Sequence, residues 1–136
     1  MTEIKKITKI SILAYGIVCL IFAIMLIFLL DFWIAAVNMP TWLNEFHPRG
    51  FGGALLVVVF FAIFVLFNKD WEWEKIKVAY LVVYSWLPIN IIMEVSVTAI
   101  FLPTLSNELL SQIIMDVILM SILLVLGVYS YIKQRE

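Results

Sequence analysis

The chain has 136 residues, of which 65% are hydrophobic and 14% are charged. A soluble domain is about half apolar and roughly a quarter charged, so this composition excludes an ordinary water-soluble fold and predicts that a lipid bilayer covers the apolar surface. The net charge is −1, and the lysines are scattered beside apolar stretches, so no nucleic-acid-binding surface is predicted. The length predicts one domain, residues 1–136.

Four apolar stretches are long enough to cross the hydrocarbon core as helices, which takes about 20 residues with a range of about 17–25. They are residues 10–30, 51–67, 78–102 and 110–132. Irregular backbone cannot face lipid, and the stretches are too long and too evenly apolar for barrel strands. The sequence therefore predicts an all-α fold, a four-helix transmembrane bundle.

The basic residues predict the orientation of these spans. With four spans, all of the Lys and Arg residues except Arg49 fall at one end of the bundle. The positive-inside rule then predicts that both termini are cytoplasmic. The residues at this inner end are Lys5, Lys6, Lys9, Lys69, Lys75, Lys77, Lys133 and Arg135.

Tyrosine and tryptophan are enriched at membrane–water interfaces, and the sequence predicts such a belt at each end. Trp33 and Trp42 are expected near the outer interface. The single cysteine, Cys19, lies deep in the first span and is interpreted as a small core or lipid-facing residue. The aromatic residues expected near the inner interface are Tyr15, Trp71, Trp73, Tyr80, Tyr129 and Tyr131.

The loops between the spans are compact. The longest runs from residue 31 to residue 49, and its aromatic content indicates that it lies on the bilayer surface or caps the bundle. The stretch NKDWEWEKIK, residues 68–77, mixes acids, bases and two tryptophans and is interpreted as an interfacial turn. Pro48 suits the start of a helix, where its missing N–H would be unpaired anyway. Ser106 or Asn107 is expected to cap the fourth helix.

Ionisable residues interrupt the apolar pattern in the outer half of the predicted bundle. Glu94 and Asp116 lie inside the third and fourth spans, while Asp31 and Arg49 stand at the outer ends of the first and second. An ionisable residue within a span is costly and is by default a functional-site hypothesis. At 1.5 Å per residue, Glu94 and Asp116 both lie about 6 Å outward of the midplane, so they are expected to share a level.

We interpret Arg49 as the counter-ion of these carboxylates, since a guanidinium can hold a carboxylate through two hydrogen bonds. The neighbouring Gly50, Gly52 and Gly53 would let another backbone approach closely. Three acids face one arginine, with His47 as a second candidate cation, so the cluster is expected to hold a proton, bind a cation or open to water. The structural alternative is an ion-pair clamp that joins the second, third and fourth helices.

The third span also carries a polar stripe. Pro88 lies within it, lacks an N–H and frees the carbonyl of Tyr84, so a kink or hinge is predicted. A polar stripe beside a kink suits a ligand pocket, and it also suits plain packing against neighbouring helices. The residues of the stripe are spaced four apart and share one helix face: Trp86, Asn90, Glu94 and Thr98.

The sequence predicts neither a metal nor a cofactor. His47 is interpreted as a solvated loop residue, and a metal site that used it with the carboxylates would lack the usual ligand spacing. No span contains a histidine that could bind a haem. A nucleophilic catalytic motif is also missing from the sequence.

The stretch RGFGGALLVVVFFAIFVLFNKDWEWEKIK, residues 49–77, resembles small four-helix membrane proteins of bacteria and archaea near the DoxX-like group. The resemblance implies a four-helix bundle in the inner (cytoplasmic) cell membrane. Some DoxX-like members are described as partners of quinone- or thiol-linked redox enzymes, but no motif here carries that role. The matching positions are Arg49, Gly52, Gly53 and Ala54 at the start of the second span, then Trp71 or Trp73 with Lys75 and Lys77.

Three functions remain open from the sequence. The first is a non-enzymatic subunit that binds a membrane-protein partner or forms a homo-oligomer, with a structural cluster of Arg49, Glu94 and Asp116. The second is a protein that binds or transports a proton, a cation or a small amphipathic ligand with the same residues. The third is a membrane enzyme for a lipid or isoprenoid substrate, in which the two carboxyl groups act as acid and base.

Overall fold

The computed structural model describes residues 3–38, 46–68 and 70–136. Within these residues no strand occurs, and one isolated antiparallel bridge joins Glu3 to Glu72. A short 3-10 turn connects the last two helices. The all-α prediction is confirmed. The helices are α1 (Lys6–Phe28), α2 (Leu30–Val37), α3 (Phe46–Phe67), α4 (Trp73–Phe101) and α5 (Asn107–Arg135), and the turn is Leu102–Thr104.

Four of these helices, α1, α3, α4 and α5, are long and apolar enough to cross a membrane. Each coincides with a predicted span, but most extend past it. The helix α4 already begins at Trp73, and α5 continues to Arg135. The apolar stretch marks the part of a helix that lipid can cover, whereas lysine, arginine and glutamate are good helix formers and carry the backbone on into the interface.

The first span differs most from its prediction because α1 ends at Phe28 and a separate helix follows. Leu29 leaves helical geometry at φ −113° and ψ 21°, and its N–H still donates to the carbonyl of Met25 at 3.0 Å. The helix α2 then occupies the first part of the predicted outer loop and ends at Val37, with Asn38 as its C-cap. Asn38 adopts a left-handed conformation (φ 53°), which asparagine tolerates better than most residues. Trp42, predicted at the outer interface, lies outside the described residues.

Ser106 joins the ends of two helices. Its hydroxyl oxygen accepts a hydrogen bond from the backbone N–H of Leu109 (3.1 Å), which caps α5 as predicted. The same hydroxyl donates to the carbonyl of Val37 at the end of α2 (2.8 Å). These two hydrogen bonds join the end of α2 to the start of α5, so part of the predicted outer loop caps this end of the bundle.

The helix α1 is the centre of the bundle and packs along both α3 and α5, while α4 packs on α5. Small residues bring α1 and α3 together, as is common between membrane helices. A Cβ on Gly16 would lie 2.6 Å from the Cβ of Ala62, and one on Gly52 would lie 3.0 Å from Leu26. In contrast, the backbones of α3 and α4 scarcely approach each other.

The predicted close approach at the three glycines beside Arg49 holds only for Gly52. A Cβ on Gly50 or Gly53 would meet nothing within 4 Å. These two glycines lie on the exposed side of α3, whereas Gly52 is buried against α1. A run of glycines allows another helix to approach closely at each of them. The orientation of α3 about its own axis decides which glycine faces the neighbouring helix.

We expect Gly16→Ala to lower the free energy of unfolding by about 1–3 kcal/mol, because the added methyl group overpacks the contact with Ala62. Gly53→Ala is the matched control, since it adds the same group to an open helical position. It should leave stability unchanged or raise it by up to about 1 kcal/mol through helix propensity. Thermal unfolding of both variants in one mild detergent measures the difference, and equal effects would contradict the packing.

Two of the four tyrosines predicted for the inner interface, Tyr15 and Tyr80, are buried between the helices. Tyr80 is 1% and Tyr15 is 2% exposed, and Trp73 is also buried. The rings of Tyr80 and Tyr84 stack with centroids 4.2 Å apart. Hydrogen bonds explain the burial: the Tyr80 hydroxyl donates to the carbonyl of Gly127 at 2.9 Å. Tyrosines can occupy a core when each hydroxyl finds a partner there.

The side chain of Gln134, near the end of α5, is hydrogen-bonded to the segment at the start of α1. Its side chain is 2% exposed, its Nε2 donates to the carbonyl of Glu3 (2.8 Å), and its Oε1 accepts from the N–H of Lys5 (2.7 Å) and the hydroxyl of Thr8 (2.9 Å). Lys5 Nζ also donates to the carbonyl of Lys133 at 2.7 Å. Both termini therefore lie at one end of the bundle, together with the α3–α4 loop, and we call this end the basic end. The end that holds α2 and the turn between α4 and α5 is called the opposite end.

Candidate functional site

A cavity of about 600 Å³ lies between the helices in the half of the bundle next to the opposite end. This volume is within the range of about 300–1,000 Å³ that small-molecule sites occupy. All five helices contribute to it, and the ring pair Phe51 and Trp86, with centroids 6.0 Å apart, spans the gap between α3 and α4. The apolar residues of its wall include Val18, Cys19, Phe22, Leu26, Leu55, Leu87, Leu119, Met120 and Leu123.

The polar stripe predicted on the third span faces this cavity. Trp86, Asn90 and Glu94 all line it, as the spacing of four requires. Asn90 is only 5% exposed, and its Nδ2 donates to the carbonyl of Trp86 at 2.8 Å. The Oδ1 of Asn90 has no hydrogen-bond partner among the described residues, so this acceptor is available to a molecule in the cavity. Pro88 lies within α4, which continues as helix on both sides of it.

Glu94 and Asp116 come together in the cavity from two different helices. Both are half-buried, and they are close enough to interact electrostatically, as expected for two carboxyl groups at one level. Asp116 accepts a hydrogen bond from Nε2 of Gln112 at 2.8 Å. Within the described part of the chain, Glu94 has no hydrogen bond and neither carboxyl group has an ion pair. Two acids thus share a cavity without a cation bonded to them.

Trp33 is a residue of the cavity wall whose hydrogen-bond donor is unpaired over the described ranges of the chain. The helix α2 places its indole there, and its Nε1 is buried without a hydrogen-bond partner among the described residues. The hydroxyl of Thr98, the next member of the polar stripe, is also buried and unpaired in that part of the chain. A buried polar atom without a partner costs free energy, so the N–H of Trp33 and the hydroxyl of Thr98 are both held there at a cost.

Arg49 does not join this group, and the predicted ion pair of Arg49 with Glu94 or Asp116 is not formed. Its Nη2 lies 3.8 Å from Oδ1 of Asp31, and its Nη1 donates to the carbonyl of Ile27 at 2.5 Å. Both charged side chains are exposed. The reason is that α3 packs on α1, so the start of α3 meets the break between α1 and α2 instead of meeting α4.

The six predicted site residues therefore fall into two groups. Asp31 and Arg49 form an exposed pair at the surface of the opposite end, while four residues line the cavity. His47 is one of the four, although its side chain is also exposed to the outside. The cavity residues among the predicted ones are His47, Asn90, Glu94 and Asp116.

Sequence reasoning missed two polar residues of the site. Gln112 stands four residues before Asp116, a spacing that places both on one helix face, so this hydrogen bond was open to prediction. Trp33 gave no such signal, because the helix that carries it was assigned to a loop. Among the described residues, no group of three or more His, Cys, Asp or Glu side chains could hold a metal ion.

The structure thus defines a class: an all-helical protein with four helices of membrane-spanning length and, between its helices, an open cavity that carries two carboxyl groups. In comparisons with protein-family profiles, curated proteins and solved structures, the chain matched none of them. The functional argument is therefore made from the cavity itself.

Proposed function

We propose that this protein binds a small amphipathic ligand in the cavity. The apolar part of the ligand lies against the aliphatic and aromatic wall, and its polar end, a cationic or hydrogen-bond-donating group, lies at Glu94 and Asp116. The observation that carries this proposal is the pair of half-buried carboxyl groups beside about 600 Å³ of cavity, with no ion-pair partner among the described residues. A charge held there is costly, and a cationic ligand would compensate it.

The remaining polar groups of the cavity favour an ordered ligand headgroup. The Oδ1 of Asn90 can accept one hydrogen bond from the ligand on the same side as Glu94, one helical turn away. The aromatic faces of Trp33 and Trp86 also attract a cation placed over them. Such a set of few polar groups in an apolar wall is typical of sites that fix the orientation of a ligand.

The protein is proposed to cross the cytoplasmic membrane four times, with its basic end in the cytoplasm. Two observations support this placement. The described lysines and the C-terminal arginine cluster with both termini at the basic end, as the positive-inside rule requires of cytoplasmic segments. The resemblance of residues 49–77 to DoxX-like proteins is in keeping with it. The cavity then lies in the outer half of the membrane.

The alternative of a purely structural charge cluster has lost its main support. That hypothesis required Arg49 to hold the two intramembrane carboxyl groups, but Arg49 bonds to Asp31 and Ile27. A clamp without a cation would bring two like charges together, which destabilises a fold. The binding hypothesis uses the same geometry, because a cationic ligand would offset this cost, and no enzymatic step is needed to explain it.

A labelled amphiphile tests the proposal. The probe is a long-chain alkylammonium with a nitroxide beside the nitrogen, added to the protein in nanodiscs of zwitterionic lipid. We expect it to quench tryptophan fluorescence in a saturable manner, because Trp33 and Trp86 line the cavity. The control probe has the same chain and nitroxide but an alkyl sulfate headgroup, compared at equal membrane-bound concentration. Equal, non-saturating quenching by both probes would show simple partition into lipid and would overturn the proposal.

A further inference from the structure

A second cleft, of about 470 Å³, lies at the basic end and shares no lining residue with the cavity. It is formed between α4 and α5, on the outside of the bundle. Its lining comes from α4 and α5 and includes one acid: Trp73, Glu74, Lys77, Val78 and Leu81 on α4, and Tyr131, Gln134 and Arg135 on α5. Cationic, aromatic and aliphatic side chains are therefore arranged in one cleft.

We propose that this cleft binds the phosphate headgroup of an anionic phospholipid from the leaflet at the basic end. This inference does not rest on the ligand proposed for the cavity. Clefts between membrane helices that present basic residues at the cytoplasmic side are suited to anionic headgroups. Here the two cations come from different helices, so one phosphate can bridge them.

The charge of the cleft favours an anion. Lys77 forms an ion pair with Glu74 on the same helix, whereas Arg135 has no carboxylate partner in the described part of the chain. Its guanidinium instead lies over the ring of Tyr131, 5.8 Å from the centroid. Two cations and one acid leave one positive charge in excess.

The apolar side of the cleft favours a lipid over free phosphate. Leu81 stands four residues after Lys77, on the same helix face and one turn deeper toward the apolar part of α4. Val78 and Leu81 are 66% and 49% exposed, so an acyl chain that descends from a bound headgroup would cover them. Trp73 and Tyr131 pack edge to face at 5.6 Å, and such aromatic residues occupy the headgroup level of a bilayer.

Native mass spectrometry of the detergent-solubilised protein tests this site. The probes are phosphatidylglycerol and phosphatidylcholine with the same acyl chains. A basic residue near an anionic membrane surface contributes about fivefold to binding. We expect Arg135→Gln to weaken phosphatidylglycerol binding about fivefold, and Lys77→Gln at least as much, since Glu74 then faces the phosphate alone. Binding of phosphatidylcholine should change little in either variant.

The matched control is Lys6→Gln, which removes one exposed charge at the same end but outside the cleft. It should leave phosphatidylglycerol binding unchanged. If Lys6→Gln weakened binding as much as Arg135→Gln, the effect would be one of total surface charge and the site would be wrong. Soluble glycerol phosphate should displace the lipid poorly, because it cannot use Val78 or Leu81. Full displacement at equal concentration would show a phosphate site and overturn the lipid assignment.

Discussion

Glu94→Gln should lose most of the affinity for the cationic amphiphile while the protein remains as stable as the wild type or becomes more stable. Glutamine keeps the shape of the side chain and removes the charge that would bind the ligand. Hydrogen bonds to charged groups contribute about 1.5–3 kcal/mol, so we expect a loss of about ten- to a hundredfold in affinity. Stability should not fall, because Glu94 bonds to no described residue and its desolvation is a cost to the folded state.

Nanodisc binding curves and thermal unfolding in one detergent measure these two effects side by side. Glu108→Gln is the matched control: it removes the same charge from an exposed residue in the first turn of α5, outside the cavity. We expect its affinity for the amphiphile to equal that of the wild type. A clear loss of stability in Glu94→Gln, with affinity retained, would instead identify Glu94 as part of a structural clamp and contradict the binding proposal.

The largest expected loss of stability is at the basic end, in Gln134→Ala. This change removes three hydrogen bonds at once: the N–H of Lys5 and the carbonyl of Glu3 lose their partner, and the hydroxyl of Thr8 keeps only the longer contact with the carbonyl of Ser130 at 3.4 Å. Each buried polar group without a partner costs about 1–3 kcal/mol. Water at the end of the bundle will satisfy some of these groups, so we expect a total loss of about 3 kcal/mol in the free energy of unfolding.

Chemical unfolding in mixed micelles measures this loss, and Ser85→Ala serves as the comparison. Ser85 is exposed and donates only to the carbonyl of Val82 in its own helix. Its removal should change stability by no more than about 0.5 kcal/mol. Hydrogen exchange provides a second measurement of the same effect. In Gln134→Ala the amide of Ile12 in α1 should remain protected, while the amide of Lys5 should exchange faster. Equal stability of both variants would contradict the role of Gln134.

The features that the sequence predicted correctly depend on short-range patterns. A helix of membrane length follows from an uninterrupted apolar stretch, and the cavity-lining face of α4 follows from the spacing of Asn90 and Glu94. The shared level of Glu94 and Asp116 follows from the rise per residue and the direction of two consecutive helices. None of these conclusions requires knowledge of which helices are neighbours.

The wrong predictions required knowledge of which helices are neighbours in the bundle. Arg49 was assigned to Glu94 and Asp116 by charge alone, but α3 packs on α1, so the guanidinium meets Asp31 and Ile27. The burial of Tyr80 could not be predicted from composition either, since Ser130 and Gly127 of α5 bind its hydroxyl inside the bundle. Hydrophobicity cannot distinguish a face that meets lipid from one that meets another apolar helix, because both environments favour the same side chains.

The pairing of the chain ends by Gln134 means that α1 and α5 are held together as closely as two helices that share a short loop. A brief peptide could join the ends, and the chain could be reopened in the turn after α4 with every helix contact kept. Such a circular permutant would insert α5 first and would display its new termini at the opposite end of the bundle. The order in which helices enter the bilayer is therefore separable, in this architecture, from the arrangement that they finally adopt.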